Sequence, residues 1–167
     1  MNFYIAQIIG LVGIVLMFFS YQHNDKKKIL WIQAFAGAVW ALHYIFLGKL
    51  TGMGMNLLEI PRDLIFGYRH EKKRQRILTV SFSAAFILVG ILTWENGFSA
   101  FPVCGMCVST FVFGLRNLRN IRLFSLAASA LWLVYNILVF SVAGIFTEIF
   151  CLFSIFVAIY RFDIKKG

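Results

Sequence analysis

The chain has 167 residues, 60% of them apolar and only 14% charged, with 19 phenylalanines and a formal net charge of +9. Soluble domains run at roughly 45–50% apolar and about 25% charged, so this composition excludes an ordinary water-soluble domain and selects lipid as the solvent. The positive charge raises nucleic acid as a partner, and the placement of the Lys and Arg residues argues against it.

Taken in chain order, the first apolar block is Phe3 to Ser20. No Lys or Arg precedes it and no small-x-small cleavage pattern closes it, so it is expected to stay as a span rather than leave as a signal peptide. Ile29 to Gly48 follows three lysines and carries Trp40 and His43. Leu50 to Tyr68 contains Asn56, Glu59, Pro61, Arg62 and Asp63 among its apolar residues. Ile77 to Trp94 and Phe98 to Leu115 come next, then Ile121 to Phe140 with Trp132, Tyr135 and Asn136, and last Val142 to Phe162 with Glu148. Each block has about the ~20 residues that cross a ~30 Å hydrocarbon core. An open sheet would leave its edge unpaired in lipid, and the blocks lack the alternation of barrel strands. The predicted fold class is therefore all-α integral membrane, with seven transmembrane helices.

Seven spans make the connections alternate sides. Lys26, Lys27 and Lys28, then Arg69, Lys72, Lys73, Arg74 and Arg76, then Arg116, Arg119 and Arg122, then Arg161, Lys165 and Lys166 all fall on one side, which is fourteen of sixteen. Lys49 alone lies opposite, and Arg62 lies within a span. The positive-inside bias then predicts an N-terminus outside and a C-terminus in the cytoplasm of a bacterial inner membrane. The basic runs act as a topology signal near anionic head groups and not as a nucleic-acid site.

Internal repetition follows the tryptophans. "GAVWALHYIFLGKLTG" from Gly37 aligns with "SALWLVYNILVFSVAG" from Ser129, a shift of 92 residues. Holding that shift without a gap pairs Gly13 with Gly105, Ile29 with Ile121, Gly52 with Gly144 and Tyr68-Arg69 with Tyr160-Arg161. The expected plan is a first three-helix repeat over 1–72, a linker helix over 73–95 that inverts direction, and a second three-helix repeat over 96–167, parallel to the first.

This plan resembles the SWEET and PQ-loop proteins, whose units resemble a pattern of Trp, then Tyr three residues on and Asn sixteen residues on. Here the first unit has Trp40, His43 and Asn56, and the second has Trp132, Tyr135 and Glu148. With "FFSYQHNDKKKILWIQAFAGAVWALHYIFLGKLTG" and "NLLEIPRD", the chain looks most like the YgjV-type bacterial inner membrane proteins. The resemblance implies small-solute transport by parallel repeats around a midplane site. It implies no particular substrate.

Helix geometry groups the same residues. At ~1.5 Å per residue, Trp40 and Asn56 lie about 9–12 Å below the outer ends of their helices, and Trp132 and Glu148 share an equivalent level. At 100° per residue, Asn56, Glu59, Arg62 and Asp63 fall within a sector of about 120°, opposite Leu57, Leu64 and Ile65. An ionisable side chain facing lipid there costs on the order of 2.5–3.5 kcal/mol even on insertion scales, so this face is expected to turn inward. Pro61 cannot bond the carbonyl of Leu57, which makes a bend below Glu59 an expected flexing point. Trp40, His43, Asn56, Trp132, Tyr135, Asn136 and Glu148 are thus the candidate substrate-binding residues, and Glu59, Pro61, Arg62 and Asp63 the gating or coupling residues. Each has a structural alternative: an Arg62 salt bridge to Glu59 or Asp63, hydrogen bonding and packing for Asn56 and Trp40, a core hydrogen bond for His43. Glu148 has no basic residue nearby in its helix and is the candidate proton carrier for coupled transport.

The spacing of "CGMC" from Cys104 to Cys107 suits a redox or zinc half-site, but it lies inside a span without a second pair, so packing is the expectation there and at Cys151. No cofactor and no metal are expected. With no Walker loop or nucleophile elbow, catalysis is not expected either. Two functions remain: a secondary carrier or facilitator of a small polar solute working by alternating access, and a receptor or scaffold using the same fold without transport. The first helix ends Ser-Tyr-Gln where a PQ-loop protein has Pro-Gln, which favours the second. The expected partners are the lipid bilayer and a small polar solute, with a homodimer left open.

Overall fold

A computed structural model describes residues 2–21, 23, 25–68, 71–115, 118–160 and 164. Among these there are seven α-helices and no strand: α1 (Asn2–Tyr21), α2 (Lys26–Phe46), α3 (Leu50–Phe66), α4 (Lys72–Leu92), α5 (Ala100–Gly114), α6 (Leu118–Leu138) and α7 (Val142–Ile159), with a short 3-10 turn at Gly97–Ser99 leading into α5. Five of the helices are long and apolar enough to cross a membrane. α3 falls short at 17 residues with Asn56, Glu59, Arg62 and Asp63 inside it, and the apolar part of α7, Val142–Val157, is also shorter. The basic positions Arg69, Arg116, Arg161, Lys165 and Lys166, and with them the arginine of each Tyr-Arg end of the proposed repeats, lie outside the described residues.

Helix ends follow local chemistry. Asp25 caps α2 by accepting from the Lys27 amide at 2.9 Å, and Ser141 caps α7 by accepting from the Gly144 amide at 3.2 Å. α4 begins at Lys72, five residues before the apolar block, because Lys, Arg and Gln are good helix formers and carry the helix out of the lipid. α3 runs through Pro61 without a break, and Pro61 sits exposed on its outer side.

The two turns that return the chain, α2 to α3 and α6 to α7, repeat each other at the 92-residue shift. Leu47, Gly48 and Lys49 donate to the carbonyls of His43, Ile45 and Tyr44; Val139, Phe140 and Ser141 donate to those of Tyr135, Ile137 and Asn136. The turning residue is left-handed in both, Gly48 at φ 69° and Phe140 at φ 57°. These bonds satisfy carbonyls that a helix end otherwise leaves unpaired.

α1 packs on α2, α2 on α3, α3 on α5, α5 on α6, α6 on α7 and α7 back on α1, while α4 lies against α3 and α5. Small residues allow the close approaches. Added Cβ atoms at Gly13 and Gly105 would stand 2.7 Å and 3.0 Å from the rings of Trp40 and Trp132 respectively, and one at Gly90 would strike Val103 where α4 crosses α5. One buried cluster joins Ala36, Trp40 and Tyr44 to Tyr135, Val139 and Ala143; another joins Met55, Phe86 and Met106 across α3, α4 and α5. The outward faces are apolar, with Leu11, Val15, Leu88, Ile91, Phe146 and Phe153 exposed, as lipid requires and water would not tolerate.

Candidate functional site

A cavity of about 320 Å³ lies among the helices, at the small end of the range for ligand pockets. Of the twenty-five described residues that line it, eighteen form nine pairs 92 positions apart, including Trp40 with Trp132, Tyr44 with Asn136 and Asn56 with Glu148. The cavity lies between α1–α3, which give ten of the described lining residues, and α5–α7, which give fifteen.

The polar face of α3 turns inward, as the lipid cost demands. Asn56 and Glu59 line the cavity, and so does Arg62, which is 1% exposed. Arg62 Nε donates to Asp63 Oδ1 and Nη2 to Glu59 Oε1, each at 2.8 Å. Nη1 reaches Ser109 Oγ on α5 at 2.9 Å, and the guanidinium lies between the rings of Phe86 and Phe113. A planar fork with five donors is the side chain that can join two carboxylates and a hydroxyl at once, so Arg62 fastens α3 to α5. Asp63 is fully buried behind this network and does not reach the cavity.

Asn56 gives its amide nitrogen to the Gly52 carbonyl at 2.8 Å; a carbonyl only accepts, so the NH2 group faces Gly52 and Oδ1 is left for the cavity side. Glu148 on α7 accepts from the Ser129 hydroxyl of α6 and lies close enough to Glu59 for the two carboxyls to act on each other electrostatically. Trp40, Tyr44 and Trp132 form an aromatic wall, with Tyr44 between the two indoles at ring-centroid distances of 6.4 Å and 6.1 Å. Tyr44 Oη donates to Asn136 Oδ1 at 2.7 Å.

Two sequence candidates stand behind the wall and not on it. His43 is fully buried, with Nδ1 2.7 Å from the Ala6 carbonyl and Nε2 2.8 Å from Ser141 Oγ. The carbonyl can only accept, so Nδ1 carries the proton and Nε2 accepts from Ser141. His43 therefore brackets α1, α2 and the capped start of α7. Tyr135 takes the amide of Gly52 at 3.2 Å, one of the unpaired N–H groups that open α3. Positions 43 and 135 thus do the same work, His43 reaching the start of α7 and Tyr135 the start of α3, and neither lines the cavity. Tyr44 is the residue that sequence reasoning missed; its register partner Asn136, already a candidate, was the signal that could have found it.

The cavity has a direction. Its lining runs from Tyr44, Asn136 and Gly144 down to Ile29, Ile121 and Ile155, near the ends where the lysines and arginines sit. Toward the opposite ends the bundle is closed by Tyr44 to Asn136, Tyr135 to Gly52, and His43 to Ser141, with Thr51 Oγ1 and Ser99 Oγ 2.9 Å apart and the Ala143 amide 2.9 Å from Gln7 Oε1 further out. The last two contacts also correspond at the 92-residue shift.

Cys104, Cys107 and Cys151 form no disulfide with one another, and no cluster of three or more His, Cys, Asp or Glu side chains suited to a metal occurs among the described residues. Among known families, the model for the bacterial inner membrane proteins called Imp-YgjV matches residues 4–166. No curated protein and no solved structure matches the chain.

Proposed function

The chain belongs to the Imp-YgjV family of bacterial inner membrane proteins, and on that premise we propose that it is a secondary carrier or facilitator that moves a small polar solute by alternating access. The proposed architecture is SWEET-like: all seven helices cross the bilayer, two parallel three-helix units (α1 to α3 and α5 to α7) enclose the site, α4 joins them, and the basic ends face the cytoplasm. What carries the reading is the cavity wall, nine pairs of residues at one register shift drawn from both units. A site held jointly by two like units is what rocking one unit against the other can expose to either side in turn.

In this reading the cavity faces the cytoplasm and the outer side is shut. Trp40 and Trp132 stack the solute, Asn56, Asn136 and Glu148 bond it, and Glu148 is the candidate proton carrier. No catalytic step is proposed, and the proposed partners are the bilayer and the solute alone.

The test is thiol labelling in membranes. Ser129→Cys, placed on the cavity wall in a chain with Cys104, Cys107 and Cys151 replaced by Ser or Ala, is expected to react with an impermeant maleimide from both faces. Reaction from one face only turns the reading to a receptor or scaffold, the alternative that the absent Pro-Gln sequence of α1 favours.

A further inference from the structure

The charges and rings around the cavity select among solutes. Three carboxyls, Glu59, Asp63 and Glu148, stand on or directly behind the wall against one guanidinium, Arg62, and the described lining residues include no other Lys or Arg. Arg62 is already consumed by Asp63, Glu59 and Ser109, so it offers little to an incoming anion, and Asp63 Oδ2 still has no hydrogen-bond partner among the described residues. Glu148 has a serine hydroxyl beside it and no cation from the described residues. The aromatic wall of Trp40, Tyr44 and Trp132 shares the same space, and an aromatic face attracts a desolvated cation through its quadrupole. Asn56, 4% exposed, adds an acceptor: its Oδ1 takes no hydrogen bond from the described residues.

We infer that the solute is a small organic cation whose ammonium group sits between the Glu148 carboxylate and the rings of Trp40, Tyr44 and Trp132. An anion would meet an excess of carboxyls and a spent arginine. A neutral polyol would find acceptors, but Glu148 would then be neutralised by a proton and the attraction of the ring faces for a cation would go unused. The cation supplies the missing charge and uses the ring faces as well. This inference rests on the carrier reading for its biological meaning but not for its test.

The experiment is binding to the full-length protein purified in detergent, followed by tryptophan fluorescence and calorimetry. Choline, tetramethylammonium and ethanolamine are compared with 3,3-dimethylbutan-1-ol, which has the shape of choline without its charge. At least one cation is expected to bind about tenfold or more tightly than the neutral alcohol. Glu148→Gln is expected to weaken cation binding about tenfold and leave the alcohol unchanged, while Trp132→Phe, which keeps a ring, is expected to hold most of the affinity that Trp132→Leu loses. Equal binding of choline and its neutral twin, no binding by any of the three cations, or a Glu148→Gln variant that folds and binds as the parent would each overturn the inference. Uptake into proteoliposomes separates the two readings: a cation that binds but is not carried removes the carrier and keeps the cation site, whereas a neutral solute that is carried with no cation bound does the reverse.

Discussion

Tyr44 Oη donates to Asn136 Oδ1 at 2.7 Å, and the two residues stand 92 positions apart, the separation that also relates Trp40 to Trp132 and Asn56 to Glu148. Residues paired by this register shift therefore meet each other directly at the top of the cavity. With His43 to Ser141 and Tyr135 to Gly52 it ties α1–α3 to α6 and α7 at that end, so the proposed carrier has to loosen it to open the closed side.

Tyr44→Phe removes that hydrogen bond and leaves the buried Asn136 Oδ1 without its donor, a loss of about 1–3 kcal/mol. The expected result is a lower melting temperature in detergent together with faster maleimide labelling of Ser129→Cys from the side opposite the basic ends. Labelling that stays unchanged while stability falls would mean the contact has no part in closure.

Arg62→Ala leaves Glu59 and Asp63 buried without their cation, and a broken buried ion pair typically costs about 3–5 kcal/mol. Arg62→Met combined with Glu59→Gln and Asp63→Asn removes the charges together and is expected to recover a large part of that loss. Thermal unfolding of the parent, Arg62→Ala, the three single variants Arg62→Met, Glu59→Gln and Asp63→Asn, and the triple variant checks this: a triple-variant loss equal to the sum of its three single losses would argue against a shared network.

At Gly13 an added Cβ would come within 2.7 Å of the Trp40 indole, and at Gly105 within 3.0 Å of that of Trp132. Both tryptophans face the cavity, so Gly13→Ala and Gly105→Ala are expected to tilt the rings into it. Overpacking of this kind costs about 1–3 kcal/mol. Ligand binding and the tryptophan emission maximum should change in both variants, more at Gly13.

Gly48 and Phe140, 92 positions apart, occupy the same left-handed position in the α2–α3 and α6–α7 turns. An Ala at Gly48 meets nothing within 4 Å, so its cost is backbone strain alone, about 1–2 kcal/mol. Gly48→Ala is expected to lower the melting temperature, while Phe140→Ala, which keeps a side chain in the same conformation and removes only an exposed ring, is expected to leave it near the parent value. Two equal losses would contradict the assignment of strain to this position.

How far the sequence reaches can be judged from particular residues. The apolar blocks fix where the helices run, because backbone groups in lipid must be paired within the segment, and the matching Trp40 and Trp132 fix the register of the repeat. The inward turn of Asn56, Glu59 and Arg62 is legible too, since the alternative is a charge in hydrocarbon. His43 and Tyr135 were not legible as brackets: their partners, Ala6, Ser141 and Gly52, lie 37, 98 and 83 positions away, and helical periodicity says nothing about contacts over such distances.

By itself, then, the sequence determined the solvent, the helices and the inward turn of Asn56, Glu59 and Arg62, all of which follow from transfer free energy and helical periodicity. Only the tertiary structure decided that Arg62 is spent on Glu59, Asp63 and Ser109, that Tyr44 rather than His43 faces the cavity, and which end of that cavity is shut. Those outcomes depend on which donor reaches which acceptor when six helices close on one another, and that pairing is set by distances across the bundle, which no stretch of chain contains.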